Sequence, residues 1–417
     1  MSARGTSLLV MAWRNLWRNR RRTILTLSSV AFGVFLAILF TAMQDRNWAD
    51  MINLAARLGT GHVTLQHAEY LEAPAFSRTV QETGVLRSMA LEDRDVSRAV
   101  ERIIGQVMLS TARESFGAGL IGFDPAEEDS STFALISAIA AGEPFTTGDD
   151  PGIMLGERLA SNLGVGLGDK VIYTTTDKSG GIVNGLARVS AILRSGAPSI
   201  DGALCVLPID ALRDVLGYAE DEATVVAVFL KDQRRADAVA ERLRRQVMSG
   251  VTALPWQANQ RELAAFVAIK VGGARFMELL IAVLVAAGIF NTLFVSVMER
   301  QREFGIMMAI GWSPGRLFRL VMLESAWLGI VGLVAAALVT AWPYYYLSTR
   351  GIDISGLMGP DTVEVSGVAM PSVFRVGIYP GHAAFIACAA LVAVLLSGLY
   401  PAWKAGRVDP VETIMLV

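Results

Sequence analysis

Four stretches of the chain lack any ionisable side chain and are almost wholly apolar: Thr23–Met43 (TILTLSSVAFGVFLAILFTAM), Leu279–Val297, Ser325–Leu347 and Ala383–Trp403. About 20 apolar residues carry an α-helix across a hydrocarbon core. A single charge at its centre costs roughly 2.5–3.5 kcal/mol on insertion scales. Four charge-free windows are therefore predicted to be four transmembrane helices. The first exceeds the apolar core of a cleaved leader, roughly 7–15 residues, and ends without a small-x-small site, so it reads as a retained anchor.

The long interval between the first two windows has a different pattern. Gly61–Gln66 alternates as a strand does, and Gly119–Phe123 reads as another. Val96, Val100, Ile103 and Ile104 recur at helical spacing, which predicts a helix over 95–106. Thr224–Leu230 is a β-branched run, followed by an amphipathic helix over Arg234–Val247 and an extended return over Val251–Trp256. The block between these halves is richer in glycine turns and strand pairs. Lys170–Thr176 and Ala187–Leu193 flank a short tip, Asp177–Gly185. The fold class expected is a membrane α-helical protein of four transmembrane helices, with a large α+β extracytoplasmic domain inserted between helices one and two. That domain divides into a split αβ lobe (about 45–125 and 216–260) and an inserted β-rich lobe (about 126–215).

Arginine and lysine near the window ends set the orientation. Arg4, Arg14, Arg18, Arg20, Arg21 and Arg22 precede the first window; Arg300, Arg302, Arg316 and Arg319 lie between the second and third; Lys404 and Arg407 follow the fourth. Between the third and fourth are only Arg350 and Arg375. Both termini and the central loop are expected in the cytoplasm. The chain then reads, in order, as a cytoplasmic helix (1–22), helix one (23–44), the outer domain (45–276), helix two (277–298), a cytoplasmic loop (299–317), helix three (318–347), a short outer segment (348–382), helix four (383–403) and a cytoplasmic tail (404–417).

Composition agrees with a membrane protein: 18% of residues are charged and 53% hydrophobic, with mean hydropathy +0.45. A formal charge of −2 removes the basic excess that nucleic-acid binding needs. Cys205 and Cys388 make neither a disulfide framework nor a zinc motif. The glycine-rich Gly164–Lys170 places Asp169 before its lysine and lacks the Ser/Thr of a phosphate-binding loop, so it reads as a tight loop entering a strand. His62 and His67 read as surface or core residues rather than metal ligands. Asp124, Glu127, Glu128 and Asp129 read as a solvated acidic loop. No catalytic or cofactor-binding constellation emerges. Glu278 and Glu324 flank the second and third windows, close enough to the membrane surface to be solvated there. Acids at such depth are candidates for coupling or substrate contact. Pro343 is placed to kink the third window near its outer end. Gly329, Gly332, Ala335, Ala336 and Ala337 read mainly as small residues that let helices approach.

The loop after the second window is the most informative segment. Glu299, Arg300, Arg302 and Glu303 precede a short apolar helix bearing Phe304, Gly305, Ile306, Met307, Met308 and Ile310. Gly311 is placed to end it, and Ser313-Pro314 to cap and start the next helix. So much apolar surface in cytosol must be covered, either by the chain's own spans or by a soluble partner.

Residues Glu299–Ile306 with Ala309-x-Gly311 resemble the coupling loop of FtsX-like ABC transporter permeases, a family that includes the lipoprotein-releasing permeases and the exporter MacB. Ala12–Thr23 is similar to that family's amphipathic lead-in helix, and Tyr400–Glu412 to its closing signature. Leu155–Ala160 through Gly168-Asp169, with Gly61–Val63, resembles the lipoprotein-releasing branch. The resemblance implies a permease that is not itself an enzyme, with no cofactor on this chain. ATP and Mg would sit on a separate cytoplasmic ATPase subunit that docks on Glu299, Arg300, Arg302, Glu303, Phe304, Gly305, Ile306, Met307, Met308 and Gly311. It also implies a second permease subunit (homo- or heterodimer), contact with membrane lipid, a periplasmic carrier or adaptor, and an inner-membrane location. ATP-driven closure would pass through long helices to a two-lobed periplasmic domain that extracts or releases lipoproteins or lipid-like substrates. Two alternatives stay open: MacB-like drug, peptide or toxin efflux with an adaptor, and signalling to a periplasmic hydrolase without transport.

Overall fold

The computed structural model describes residues 3–145, 151–353, 364–365, 367–369 and 373–407. Residues 408–412 of the closing signature, most of the expected tail and part of the expected outer segment lie outside them. The chain divides into two compact units: 1–47, 269–353 and 373–417 form one, 48–268 and 354–372 the other.

The first unit is helical. Helix α1 (Ala3–Leu16) leads into α2 (Arg20–Leu58), whose charge-free run occupies only its first two-thirds. Among the described residues, four helices are long and apolar enough to cross a membrane, α2 being the first. The others are met later in the chain: Arg261–Glu299, Pro314–Thr349 and Pro380–Ala405. Leu27, Val30 and Val34 of α2 pack with Ile289, Leu293, Leu328, Ala336 and Val394 from the other three. Small residues set the spacing. A Cβ at Gly332 would stand 2.7 Å from Val30 Cγ1, and one at Gly329 would stand 2.9 Å from Leu391 Cδ1, so glycine permits these crossings. The helix runs through Pro343 unbroken. Large apolar side chains such as Leu284, Leu338, Trp342 and Phe385 point outward, more than two-thirds exposed. That pattern suits lipid and not water.

The second unit holds one ten-stranded sheet system, all of whose strands fall between the first two long helices in chain order. After α2 come β1 (Val63–His67), α3 (Thr83–Leu91), β2 (Val96–Ser110) and β3 (Ser115–Phe123). Next are β4 (Ile139–Gly142), β5 (Gly152–Gly156), α4 (Glu157–Leu163), β6 (Lys170–Thr176) and β7 (Ile182–Leu193). Then follow α5 (Pro198–Ala203), β8 (Leu204–Pro208), α6 (Ile209–Leu216), β9 (Val225–Leu230), α7 (Ala236–Arg244), β10 (Val251–Pro255) and α8 (Trp256–Asn259).

Residues 95–106 do not form the expected helix. They lie in β2, whose first half pairs with β9 and whose second half pairs with β3 and β6. Val96, Val100, Ile103 and Ile104 fit a helical repeat by spacing alone. Partners on both edges, which local periodicity does not report, select the extended form. The amphipathic helix that follows β9 is shorter than expected: α7 ends at Arg244.

Two cores result. Strands β10, β1, β9 and the first half of β2 carry α3 and α7, with Met51, Leu65, Val228, Val239 and Trp256 buried among them. Strands β2, β3, β8, β5, β7 and β6 each pair with the next, and β6 returns to β2, closing a six-stranded ring around Ile103, Leu109, Leu120, Leu155, Tyr173 and Cys205. The lobes therefore meet in the middle of β2, not near residue 126, because β2 and β3 are needed to close the ring. Gly164 (φ +65°) and Gly168 (φ +87°) bend the loop into β6, the tight turn expected there.

Candidate functional site

The loop following the second long helix, α9 (Arg261–Glu299), folds as a short helix, α10 (Gln301–Ala309), set before α11 (Pro314–Thr349); α12 (Pro380–Ala405) closes the unit. Gly311 supplies the break with φ +99°, a value that β-carbon crowding denies most residues. The Gly311 and Trp312 N–H groups donate to the Met308 and Met307 carbonyls, closing the helix end. Pro314 then opens α11. Ser313 occupies the cap position with extended backbone, but its side chain makes no cap hydrogen bond, so the proline and not the hydroxyl defines this start.

The faces of α10 differ. Phe304 is wholly buried, and Met307 and Met308 are partly buried with it against Val297, Leu317, Val321, Ala402 and Ala405. Ile306 and Ile310 are 48% and 73% exposed. They share a stripe with Arg302 and Ala309, at spacings of three and four residues, and all four are exposed. Sequence alone left open whether this apolar surface is covered by the chain's own spans; the structure divides it. Phe304, Met307 and Met308 are anchors, while Arg302, Ile306, Ala309 and Ile310 are presented.

An ion-pair hub holds the helix from the other side. Arg300 Nη1 donates to Glu324 Oε2 at 2.8 Å, and Asn15 Nδ2 donates to Glu324 Oε1 at 2.7 Å. Arg300 Nε reaches Glu303 at 3.4 Å, while Arg18 pairs with Glu303 from the α1–α2 elbow. Arg22 Nη1 pairs with Glu299 at 2.5 Å. Burial works against the charge on Arg300, but Glu324 and Glu303 outweigh it and hold its pKa above the ordinary value. Burial would raise the pKa of Glu303; Arg18 and Arg300 overcome this and lower it. Glu324 is only 14% exposed. It is therefore not the solvated interfacial acid expected: Arg300 and Asn15 occupy its oxygens. These residues border a polar cavity of about 340 Å³, also lined by Thr23, Thr26 and Ser296. Arg300 Nη2 has no partner. Nothing in the sequence paired Asn15, Arg18 or Arg22 with the loop, since hundreds of residues separate them.

The remaining candidates are dispersed. Glu278 accepts a hydrogen bond from Thr41 Oγ1 at 2.7 Å and so ties α2 to α9. His62 and His67 serve separate local bonds: His62 faces Asn53 and Leu230, and His67 Nδ1 accepts from the Glu69 N–H. Among the described residues, no three His, Cys, Asp or Glu side chains gather as a metal site. The acidic loop at 124–129 is not simply solvated. Glu128 is fully buried against Arg102, while Glu127 and Asp129 pair with Arg87 and Arg98. Reading 95–106 as a helix concealed this, because only a strand delivers Arg102 to that loop.

Long apolar helices, an α+β domain of two lobes and a short charged loop helix together make the architecture of a multi-pass membrane protein. Residues 23–246 match the MacB-like periplasmic core domain, and 275–410 match the FtsX-like permease C-terminal domain. The chain belongs to this family of ABC transporter permeases. It is 26% identical over 344 residues to the lipoprotein-releasing system transmembrane protein LolC of Xylella fastidiosa strain 9a5c, covering 78% of this chain and 79% of that one. Against LolC of Neisseria meningitidis serogroup B the identity is 23%, covering 94% and 93%. The pyoverdine export ATP-binding/permease protein PvdT of Pseudomonas entomophila is 25% identical, covering 97% of this chain and 59% of the relative.

Proposed function

We propose that this chain couples ATP hydrolysis on a separate cytoplasmic ATPase to movement of its outer domain, and so extracts or releases lipoproteins or lipid-like molecules at the outer leaflet of the inner membrane. One observation carries the coupling: α10 is anchored through Phe304, Met307 and Met308 while Ile306 and Ile310 remain uncovered beside Arg302. An apolar stripe edged by charge, on a helix fixed by its own core, is suited to receive a soluble subunit. In this reading both termini and α10 are cytoplasmic, ATP and Mg stay on the partner, and the permease works as a pair of subunits, alike or different. The lipoprotein substrate rests on the similarity to LolC over most of both chains. Outward apolar faces of the helices also suit a substrate that meets the permease from the lipid.

The test is a docking variant in the full chain, expressed with its ATPase. Ile306→Asp with Ile310→Asp should cut permease-dependent ATPase stimulation at least tenfold while the thermal midpoint stays within about 2 °C. Phe304→Asp is expected to unfold the loop instead. Full stimulation by the double variant would remove the coupling assignment. For the substrate, ATP turnover indifferent to added lipoprotein would drop that class. The similarity to PvdT over 97% of this chain favours a second reading, export of a small molecule with a periplasmic adaptor; crosslinking to an adaptor, with loss of export on deletion, would select it.

A further inference from the structure

The elbow between α1 and α2 carries groups that neither coupling nor substrate handling uses. Leu9, Val10, Trp13 and Trp17 are exposed, by 37–52%. The Trp13 ring lies edge-on to Trp17 and to Trp327, with centroids 5.8 Å and 5.1 Å apart. Trp327 stands two residues inside the charge-free run that begins at Ser325, so Trp13 lies where α11 turns apolar. On the same elbow, Arg20 and Arg21 immediately precede the run that begins at Thr23. Both marks place the elbow at the boundary between headgroups and hydrocarbon.

Its charge is unbalanced. Arg14, Arg20 and Arg21 are exposed. The three neighbouring glutamates are already taken: Glu299 by Arg22, Glu303 by Arg18, and Glu324 by Arg300 with Asn15. Three surplus cations thus flank two exposed indoles. Indoles and arginines combined on one short helix are the side chains of an interfacial anchor.

We propose that the elbow is a binding surface for anionic phospholipid headgroups, with Arg14, Arg20 and Arg21 taking phosphate oxygens while Trp13 and Trp17 sit at the acyl boundary. The acidic face of another protein matches the charge but leaves Leu9, Val10 and both indoles against polar groups, so lipid is the better occupant.

The experiment compares fluorescent phosphatidylglycerol with fluorescent phosphatidylcholine, titrated into the full-length chain in neutral detergent. The chain should prefer phosphatidylglycerol at 50 mM salt and lose most of that preference at 500 mM. Each arginine near an acidic surface contributes about fivefold, so R14Q/R20Q/R21Q should weaken phosphatidylglycerol at least tenfold and leave phosphatidylcholine unchanged. The charge-conserving R14K/R20K/R21K should stay within about threefold of the parent. Equal affinity of the parent for the two lipids would overturn the proposal, as would a preference that survives the glutamine variant. Loss of ATPase binding with lipid preference intact would instead make the elbow a protein surface. If the glutamine variant fails to fold, a preference of the parent that salt does not weaken still refutes the proposal.

Discussion

Two ion-pair hubs, one in each unit, are built to opposite rules. In the α+β unit the Arg102 and Glu128 side chains are 0% exposed, and every guanidinium nitrogen has an acceptor. Nε and Nη2 donate to the Glu128 oxygens at 3.0 and 2.6 Å, Nη2 also donates to the Thr132 carbonyl, and Nη1 donates to the Gly59 carbonyl. Phe133 and Phe229 add their ring faces at 4.8 and 5.7 Å. In the helical unit Arg300 shares Glu324 and Glu303, borders a cavity and leaves Nη2 without an acceptor. A buried pair with an acceptor at every nitrogen has one low-energy arrangement, since any shift strands a charge. A partly satisfied hub with exposed members can exchange partners at low cost. The first suits a rigid working domain, the second a joint beneath a helix proposed to receive force.

The contrast can be broken most forcefully at Arg102. Arg102→Met should cost about 3–5 kcal/mol, because Glu128 is left buried and uncompensated, whereas Arg102→Met with Glu128→Leu should recover most of it. Chemical denaturation of the full chain measures both, and a single-variant cost below about 1 kcal/mol would end the claim of a lock.

His62 shows how the same unit treats a buried neutral group. Its Nδ1 accepts from the Leu230 N–H at 3.1 Å, so Nε2 carries the proton and donates to Asn53 Oδ1 at 2.9 Å. Burial, with help from Arg57, lowers its pKa from 6.5 to about 4. The unfolded chain therefore binds this proton first as pH falls. The contribution is complete above pH 6.5 and is lost on acidification towards pH 4, by on the order of 3 kcal/mol. The difference between parent and His62→Gln stability curves should show that slope only in the parent.

In the helical hub, Glu324→Gln should cost about 1–3 kcal/mol, the range for a hydrogen-bonded charge that loses its partner. It should also lower ATPase binding by loosening the seat of α10. A larger loss than at Arg102 would reverse the ranking of the two hubs. Arg18→Gln sits at the small end: the side chain is 55% exposed, so less than about 1 kcal/mol is expected, with stimulation nearly intact.

Much of the helical unit was legible in the chain because lipid imposes a constraint on every residue that faces it. Leu279–Val297 and Ala383–Trp403 can be read without knowing their neighbours. The turn at Gly311 was also local, since it depends on one residue's own backbone freedom. In the outer unit, Thr224–Leu230 and Gly119–Phe123 were readable as β-rich runs. Val96–Gln106 was not, because its apolar spacing fits two repeats and only β9, β3 and β6 choose between them. The residues of the loop helix were found as a set, but not the division between them. Met307 and Met308 look as available as Ile306 and Ile310 until Leu317, Val321, Ala402 and Ala405 are laid beside them.

What the sequence determined by itself was the solvent each segment can tolerate, and with it the class of protein. Those properties follow from transfer free energies, which are set residue by residue. Tertiary structure alone decided the closed six-stranded ring, the burial of Glu128 on Arg102, the capture of Glu324 by Arg300 and Asn15, and the stripe that α10 presents. Each depends on pairing between residues far apart in the chain, where favourable contact must outweigh the entropy of bringing them together, and no local pattern encodes that balance.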